Sequence, residues 1–435
     1  MPAPLDLLAL RNDFVEGSGS PSRRVGLEFE LLPVDRATGA QVPYHGGRSV
    51  QAVLHWLAAT RGWKAVGSEP LLELERNGAR LTLEPGAQVE LSGAPQNSIR
   101  AVAAELAAFV DDIREAGRTF GIAFLPIGLS PQSHPDQIEV IPKERYRIMT
   151  RYLKQQGADA WWMMRATAGM QVNLDAADAT AAARLLRLLL RASPILTALF
   201  ANSPVAEGRN SGWLSRREQI WLAVDPARCG YPTRSIDPNA TLDDYVEWAL
   251  EAPMFFVMRD GHLIDMAGES FRQFVERGAR GEIARMDDWH LHITTLFPEV
   301  RLKRYLEMRC IDSNRPDLAL SLAALSSGLA YGGAEVWDSA ESVLGTWDLQ
   351  AHRLFHVECM RVGANAIAPD GRTAGAIAQE LLAVARRGLM NWNRSDLEFL
   401  EPAEALAASG RAPAHEVLSA FERGGSIEVV RARAL

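Results

Sequence analysis

Residues 24–33 read RVGLEFELLP. Val25, Leu27, Phe29 and Leu31 share one side of an extended chain, and Gly26, Glu28 and Glu30 share the other. Successive side chains of a strand point to opposite faces, so this alternation predicts a half-buried strand with an acidic face, and Glu28 and Glu30 point the same way. Residues 71–77 and 80–85 alternate too, and Asn77-Gly78 between them is a strong hairpin signal. A third run, 87–92, follows Pro85-Gly86 and carries Glu90, six residues after Glu84.

Outward from these strands the period changes. Residues 98–117 read as a helix with Ser98 as its cap. Residues 121–129 predict a strand, and 142–155 a cation-rich helix. In 168–175, Met170, Val172 and Leu174 stand opposite Gln171 and Asn173. The apolar run 179–202 carries Arg184, Arg187 and Arg191 at helical spacing, which predicts an amphipathic helix rather than a membrane span. Residues 202–220, dense in Ser, Gly and Asn, read as a loop. Residues 305–311 alternate again, with Leu306, Met308 and Cys310 opposite Tyr305, Glu307 and Arg309. From residue 318 the pattern is mostly helical, with a loop at 363–375. Strands that return after long helical excursions predict an α+β fold: an antiparallel sheet with helices on one face.

The chain has 435 residues, and length alone would suggest two or three domains. Its 46 basic residues are scattered among 54 acidic ones for a net charge of −8, which argues against a nucleic-acid partner. Three distant cysteines, Cys229, Cys310 and Cys359, form neither a disulfide framework nor a zinc site and fit a reducing cytosol. The N-terminal segment lacks the basic start and apolar run of a signal peptide. A cytoplasmic location is therefore expected, with no membrane partner.

Glutamates lining polar strand faces carry the chemical information. Alternating Glu on any one strand is usually a solvated face. If Glu28, Glu30, Glu84, Glu90 and Glu307 converge, they repel and need a counter-charge. Magnesium supplies one through carboxylate oxygens and leaves coordination for phosphates. Arg309, beside Glu307, offers a planar fork to phosphate or carboxylate. There is no GxxxxGK[ST] loop and no GxGxxG after a strand, so phosphates would be bound by metals and arginines. His290 and His292 in DWHLHITTLF could share one side of a strand, as a packed or solvent-facing pair. Trp161-Trp162 and Met163-Met164 read as core, and the cysteines as buried thiols.

At these residues the chain resembles the plant and proteobacterial glutamate–cysteine ligases. The segments that carry the likeness are FPEVRLKRYLEMR (297–309), LTLEPGAQVELSGAP (81–95), LFANSPVAEGRNSGWLSRREQIW (199–221), GLEFE, MQVNLD and the KERYRIM run at 143–149. The resemblance implies one catalytic domain over 1–435, similar to glutamine synthetase: a curved antiparallel sheet with helices on its convex face. It implies ATP-dependent formation of γ-glutamylcysteine from glutamate and cysteine through a γ-glutamyl phosphate, the first step of glutathione biosynthesis. Glu28, Glu30, Glu84, Glu90 and Glu307 would hold Mg²⁺ or Mn²⁺, with Gln171 a weaker ligand. Arg309 and Glu307 would act at the transferring phosphoryl group, and Arg145 and Arg217 would bind the glutamate carboxylate. Glutamate, cysteine and ATP are the expected partners, and a homodimer stays open. Two stretches depart from the family's pattern: TAGMQVNLDA stands for TCTVQVNLDF, and Cys310-Ile311-Asp312 for Gly-Ala-Asp. They leave open a sister ligase with another amine acceptor, and a catalytically silent paralogue. The segment 202–212 is the expected closing loop.

Overall fold

The computed structural model describes residues 5–157 and 159–435, so the first residues of the segment read for a leader lie outside it. Nine strands form one sheet: β1 (Val25–Asp35), β2 (Lys64–Ala65), β3 (Glu73–Arg76), β4 (Ala79–Leu83), β5 (Val89–Ser92), β6 (Ile122–Leu125), β7 (Gly169–Leu174), β8 (Val300–Leu302) and β9 (Leu306–Asp312). The order is β8-β9-β7-β1-β5-β4-β3-β2, with β6 beside the second half of β1. All of these pairs are antiparallel. The α+β class expected from the sequence holds. Asn77 (φ 54°) and Gly78 (φ 85°) both take the left-handed conformation, which lets β3 turn directly into β4 with Arg76 opposite Ala79.

Helices cover the apolar face. The helix Pro316–Tyr331 packs on β7 and β1, and its Ser326 Oγ donates to the sulfur of Met308 in β9 at 3.8 Å. The helix Ala179–Phe200, capped by Asp178, lies against β9. No described helix is long and apolar enough to cross a membrane.

Two expectations change. Residues 286–293 are a helix, not a strand: Asp288 accepts from the Arg285 N–H at 2.9 Å and caps it, and Trp289 and Ile293 bury at helical spacing. His290 and His292 therefore diverge. His290 pairs with Asp13 at 2.8 Å, and buried His292 contacts the Ala249 carbonyl at 2.8 Å. The loop 202–220 ends early, because Ser215 accepts from the Glu218 N–H at 3.3 Å and starts the helix Arg216–Val224.

Candidate active site

Strand register assembles the site. Glu73 lies opposite Thr82, Thr82 opposite Glu90, and Glu90 opposite Glu30, so one row of side chains crosses four strands. Glu28 sits between Ser92 and Gln171 in the next row. Glu307 sits between Arg301 and Asn173 in a third. In β9 the register slips between Met308 and Ile311, so Arg309 and Cys310 together oppose Gln171. Such bulges re-aim side chains beside functional clefts.

These rows floor a cavity of about 370 Å³. Glu28, Glu30, Glu84, Glu90, Gln171, Arg145, Arg217 and Arg309, all singled out from sequence, line it. Glu307 does not. It is fully buried behind the wall, gripped by Arg301 (Nη2 to Oε1 at 2.6 Å), Lys303 (2.6 Å) and Arg309. Burial would raise its carboxyl, but Arg301, Lys303 and Arg309 hold it well below the usual carboxylate range.

Glu28, Glu30 and Glu90 have neutral hydrogen-bond partners. Glu28 accepts from Asn173 Nδ2 at 2.9 Å, Glu90 from Thr82 Oγ1 at 2.6 Å, and Glu30 from the Gly169 N–H at 2.6 Å and Gln171 Nε2 at 3.1 Å. Gln171 Oε1 accepts from Arg309 at 2.6 Å, so its amide bridges an acid and a cation. Glu30 and Glu90, directly opposite on adjacent strands, are an unfavourable like-charge pair. Burial, then Glu84, pushes the Glu30 carboxyl up to about 7. Burial, then Glu28 and Glu84, pushes Glu90 well above the usual range, and burial with Glu307 raises Glu28. An all-oxygen donor set short of protein counter-charge suits a hard divalent cation. Among the described residues, the trio whose ligand atoms all fall within 4.8 Å of one another is a different one, Glu218, Glu299 and His356. The sheet carboxylates are spread along the floor.

The rest of the lining is cationic and aromatic. Lys143, Arg145, Tyr146 and Met149 enter at the helix Glu144–Leu153, Met163 and Met164 from the helix Asp159–Ala166, and Trp221 from the helix of Arg217. Lys143 Nζ donates to the Leu83 carbonyl at 3.1 Å. Arg309 lies 5.7 Å from the Phe297 ring centre. Arg217 Nη2 donates to the Arg309 carbonyl at 3.1 Å, while Nε of Arg217 and of Arg145 is buried with no partner among the described residues.

Sequence reading missed Glu73, Lys143, Trp221, Phe297 and Arg301. Glu73 was recoverable by counting back from Asn77-Gly78, since the turn register puts it in the row of Glu90. Met163 and Met164, read as core, line the cavity. Segment 202–212, expected as a lid, does not: Asn202 and Ser203 are tied to Asp312, and the Gly208 N–H to the Pro131 carbonyl at 2.8 Å. The three cysteines are free and buried, as expected.

A family model described as glutamate–cysteine ligase family 2 matches residues 24–432. Chloroplastic glutamate–cysteine ligase B of Oryza sativa subsp. japonica is 34% identical over 403 residues, covering 92% of this chain and 80% of that protein. The chloroplastic glutamate–cysteine ligase of Arabidopsis thaliana is 33% identical over 416 residues, covering 94% and 78%. In structure, the Francisella tularensis glutamate–cysteine ligase solved with AMP superposes with a TM-score of 0.59 over 95% of this chain and 88% of that one at 12% identity, a likeness of fold. The expected cytoplasmic location is corrected here, since the relatives are named as chloroplastic. Unpaired cysteines report a reducing environment and do not tell one reducing compartment from another. The match over nearly the whole length places the chain in the glutamate–cysteine ligase family 2, to which it belongs.

Proposed function

We infer that this chain is an ATP-dependent ligase that joins the γ-carboxylate of glutamate to the amine of cysteine. The observation that carries the reading is the polarity of the cavity. Glu28, Glu30, Glu84 and Glu90 line it together with Lys143, Arg145, Arg217 and Arg309. A carboxylate is a poor electrophile. Its oxygen attacks the γ-phosphorus of ATP, ADP departs, and the acyl phosphate formed is attacked by the amine, which expels phosphate. Phosphoryl transfer of this kind asks mainly for positioning and charge neutralisation.

Glu28, Glu30, Glu84 and Glu90, with Gln171, would hold Mg²⁺, which when bound neutralises phosphate charge. Their neutral hydrogen-bond partners and the facing Glu30–Glu90 pair support the fit. Glu307 serves behind them, anchoring Arg309 towards the phosphoryl group. Arg145 and Arg217 hold the glutamate carboxylate, each with a buried Nε to offer. Trp221, Phe297 and the methionines keep water from the acyl phosphate. The sheet curves around this cavity, and the whole chain is one catalytic domain. One apolar cluster running from Leu10 to Ala407 supports the last point.

Phosphate release with glutamate, ATP and Mg²⁺ across a panel of amines tests the reading, with cysteine expected to give the highest kcat/KM. Another amine ahead by more than about tenfold would reassign the acceptor, since pocket differences of ~1–3 kcal/mol suffice to redirect it. No glutamate-dependent ADP with any amine would sink the ligase reading. Arg145→Ala and Arg217→Ala should each raise the KM for glutamate far more than that for ATP.

A further inference from the structure

Behind Arg217, away from the cavity floor, lies a second acidic group. Oxygens of Glu218 and Glu299 and a nitrogen of His356 fall within 4.8 Å of one another, and the three residues are 1%, 4% and 0% exposed. Glu218 follows Arg217 on its helix, Glu299 precedes β8, and His356 comes from the helix Leu349–Val362. Both nitrogens of His356 are already engaged, by Thr197 Oγ1 at 2.9 Å and Tyr231 Oη at 2.8 Å. A neutral imidazole has one donor and one acceptor, so its lone pair is taken and a metal would have to displace a hydroxyl.

That leaves two buried carboxyl groups. Oε2 of Glu218 accepts from Arg217 Nη1 at 3.2 Å, and Oε1, equally buried, has no donor among the described residues. Two carboxylates this close cannot both ionise cheaply. One proton supplies the missing donor.

We propose that Glu218 and Glu299 share a single proton in a carboxylic acid–carboxylate hydrogen bond that positions Arg217 and Arg309 for substrate. The backbone closes the device into a ring. Glu299 C=O accepts from the Arg309 N–H at 3.0 Å, and Arg309 C=O accepts from Arg217 Nη2 at 3.1 Å. Arg309 is thus held at both its backbone groups, and Arg217 is tethered at Nη1 and Nη2 while Nε has no partner among the described residues. Burial, then Glu299, pushes the Glu218 carboxyl well above the usual range, the direction a retained proton requires. The pair bears one negative charge, enough to orient a guanidinium without saturating it.

The kinetic consequence rests on the proposed role of Arg217, but the proton itself does not. The infrared difference spectrum of wild type minus Glu218→Gln, full chain at neutral pH in H₂O and D₂O, should show one protonated carboxyl band, while the bands of Glu30 and Glu90 cancel. In kinetics, Glu218→Gln and Glu299→Gln each leave one negative charge and should lower kcat/KM by no more than about threefold. The double variant removes the charge and should raise the KM for glutamate about tenfold or more, with kcat moved less. No band in that difference spectrum, single variants as damaged as the double, or a stoichiometric bound metal lost in Glu299→Gln would overturn the proposal. The difference band in a chain that never uses glutamate would sustain the shared proton and sink the ligase reading instead.

Discussion

A Cβ added to Gly169 would sit 2.6 Å from Nη2 of Arg217 and 3.1 Å from the Ile311 carbonyl. The guanidinium reaches the cavity by lying across the bare backbone of β7. The same glycine donates its N–H to Glu30 Oε2 at 2.6 Å, so one residue touches both the acidic floor and a substrate arginine.

Gly169→Ala should therefore displace Arg217. The KM for glutamate should rise about tenfold, while overpacking costs ~1–3 kcal/mol of stability. Steady-state kinetics beside a thermal melt check this. An unchanged KM in a folded variant would show that Arg217 does not bind glutamate from this position.

Glu90→Gln removes a carboxyl directly opposite Glu30 whose ionisation burial, Glu28 and Glu84 oppose. The metal-free variant should melt above metal-free wild type by a margin of order 1 kcal/mol, yet lose nearly all activity. Mg²⁺ at about a hundredfold its Kd should stabilise the wild type by ~2.7 kcal/mol and the variant much less. Equal Mg²⁺ shifts in both proteins would remove Glu90 from the metal site.

The metal-free protein should be most stable just below neutral pH. Glu30 is raised from 4.5 to about 7, so the folded state prefers it protonated. Its contribution is whole below about 4.5 and is lost as pH rises through about 7. Burial drives His292 down from 6.5 to about 3 and His352 to about 4; their contribution is whole above about 6.5 and is lost as pH falls towards those values. Melts in EDTA should rise from pH 8 to 6 and fall below pH ~5. Glu30→Gln should flatten the alkaline side, and a slope unchanged in that variant would refute the assignment.

Arg301 grips Glu307 through Nη2 (2.6 and 2.9 Å) and Nε (3.2 Å), and donates through Nη1 to the Thr294 and Leu296 carbonyls at 2.7 and 3.1 Å. Arg301→Ala should cost about 3–5 kcal/mol, because it strips a buried carboxylate of a partner and orphans two carbonyls. Arg301→Lys keeps the charge and loses the fork, so it should fold with a lower kcat. Urea titrations and turnover numbers separate the two effects. An alanine variant as stable as wild type would mean that Lys303 and Arg309 suffice.

Local periodicity was enough for what depends on neighbours in sequence. The alternation of residues 24–33 and 168–175 and the Asn77-Gly78 turn specified strands, faces and one register, because a strand's side chains flip every residue and a left-handed turn needs residues that tolerate it. With the turn register, even Glu73 was within reach. Short patterns misled where a cap outweighed them, as Asp288 did over HLHIT.

What tertiary structure alone decided is which acids keep their charge free and which are neutralised. Glu28 and Glu307 look alike in sequence, each on an alternating strand. Only the antiparallel return of β8 sets Arg301 opposite Glu307, and only the neighbouring β7 gives Glu28 a neutral Asn173. The bulge at Arg309 and Cys310, the passage of Arg217 over Gly169, and the meeting of Glu218 with Glu299 all join residues distant in the chain. A carboxylate's chemistry is set by the charges and solvent within a few ångströms of it, and in a buried site strand order, hairpin return and helix packing decide which residues, near in sequence like Lys303 and Arg309 for Glu307 or distant like Asn173 for Glu28, come that close.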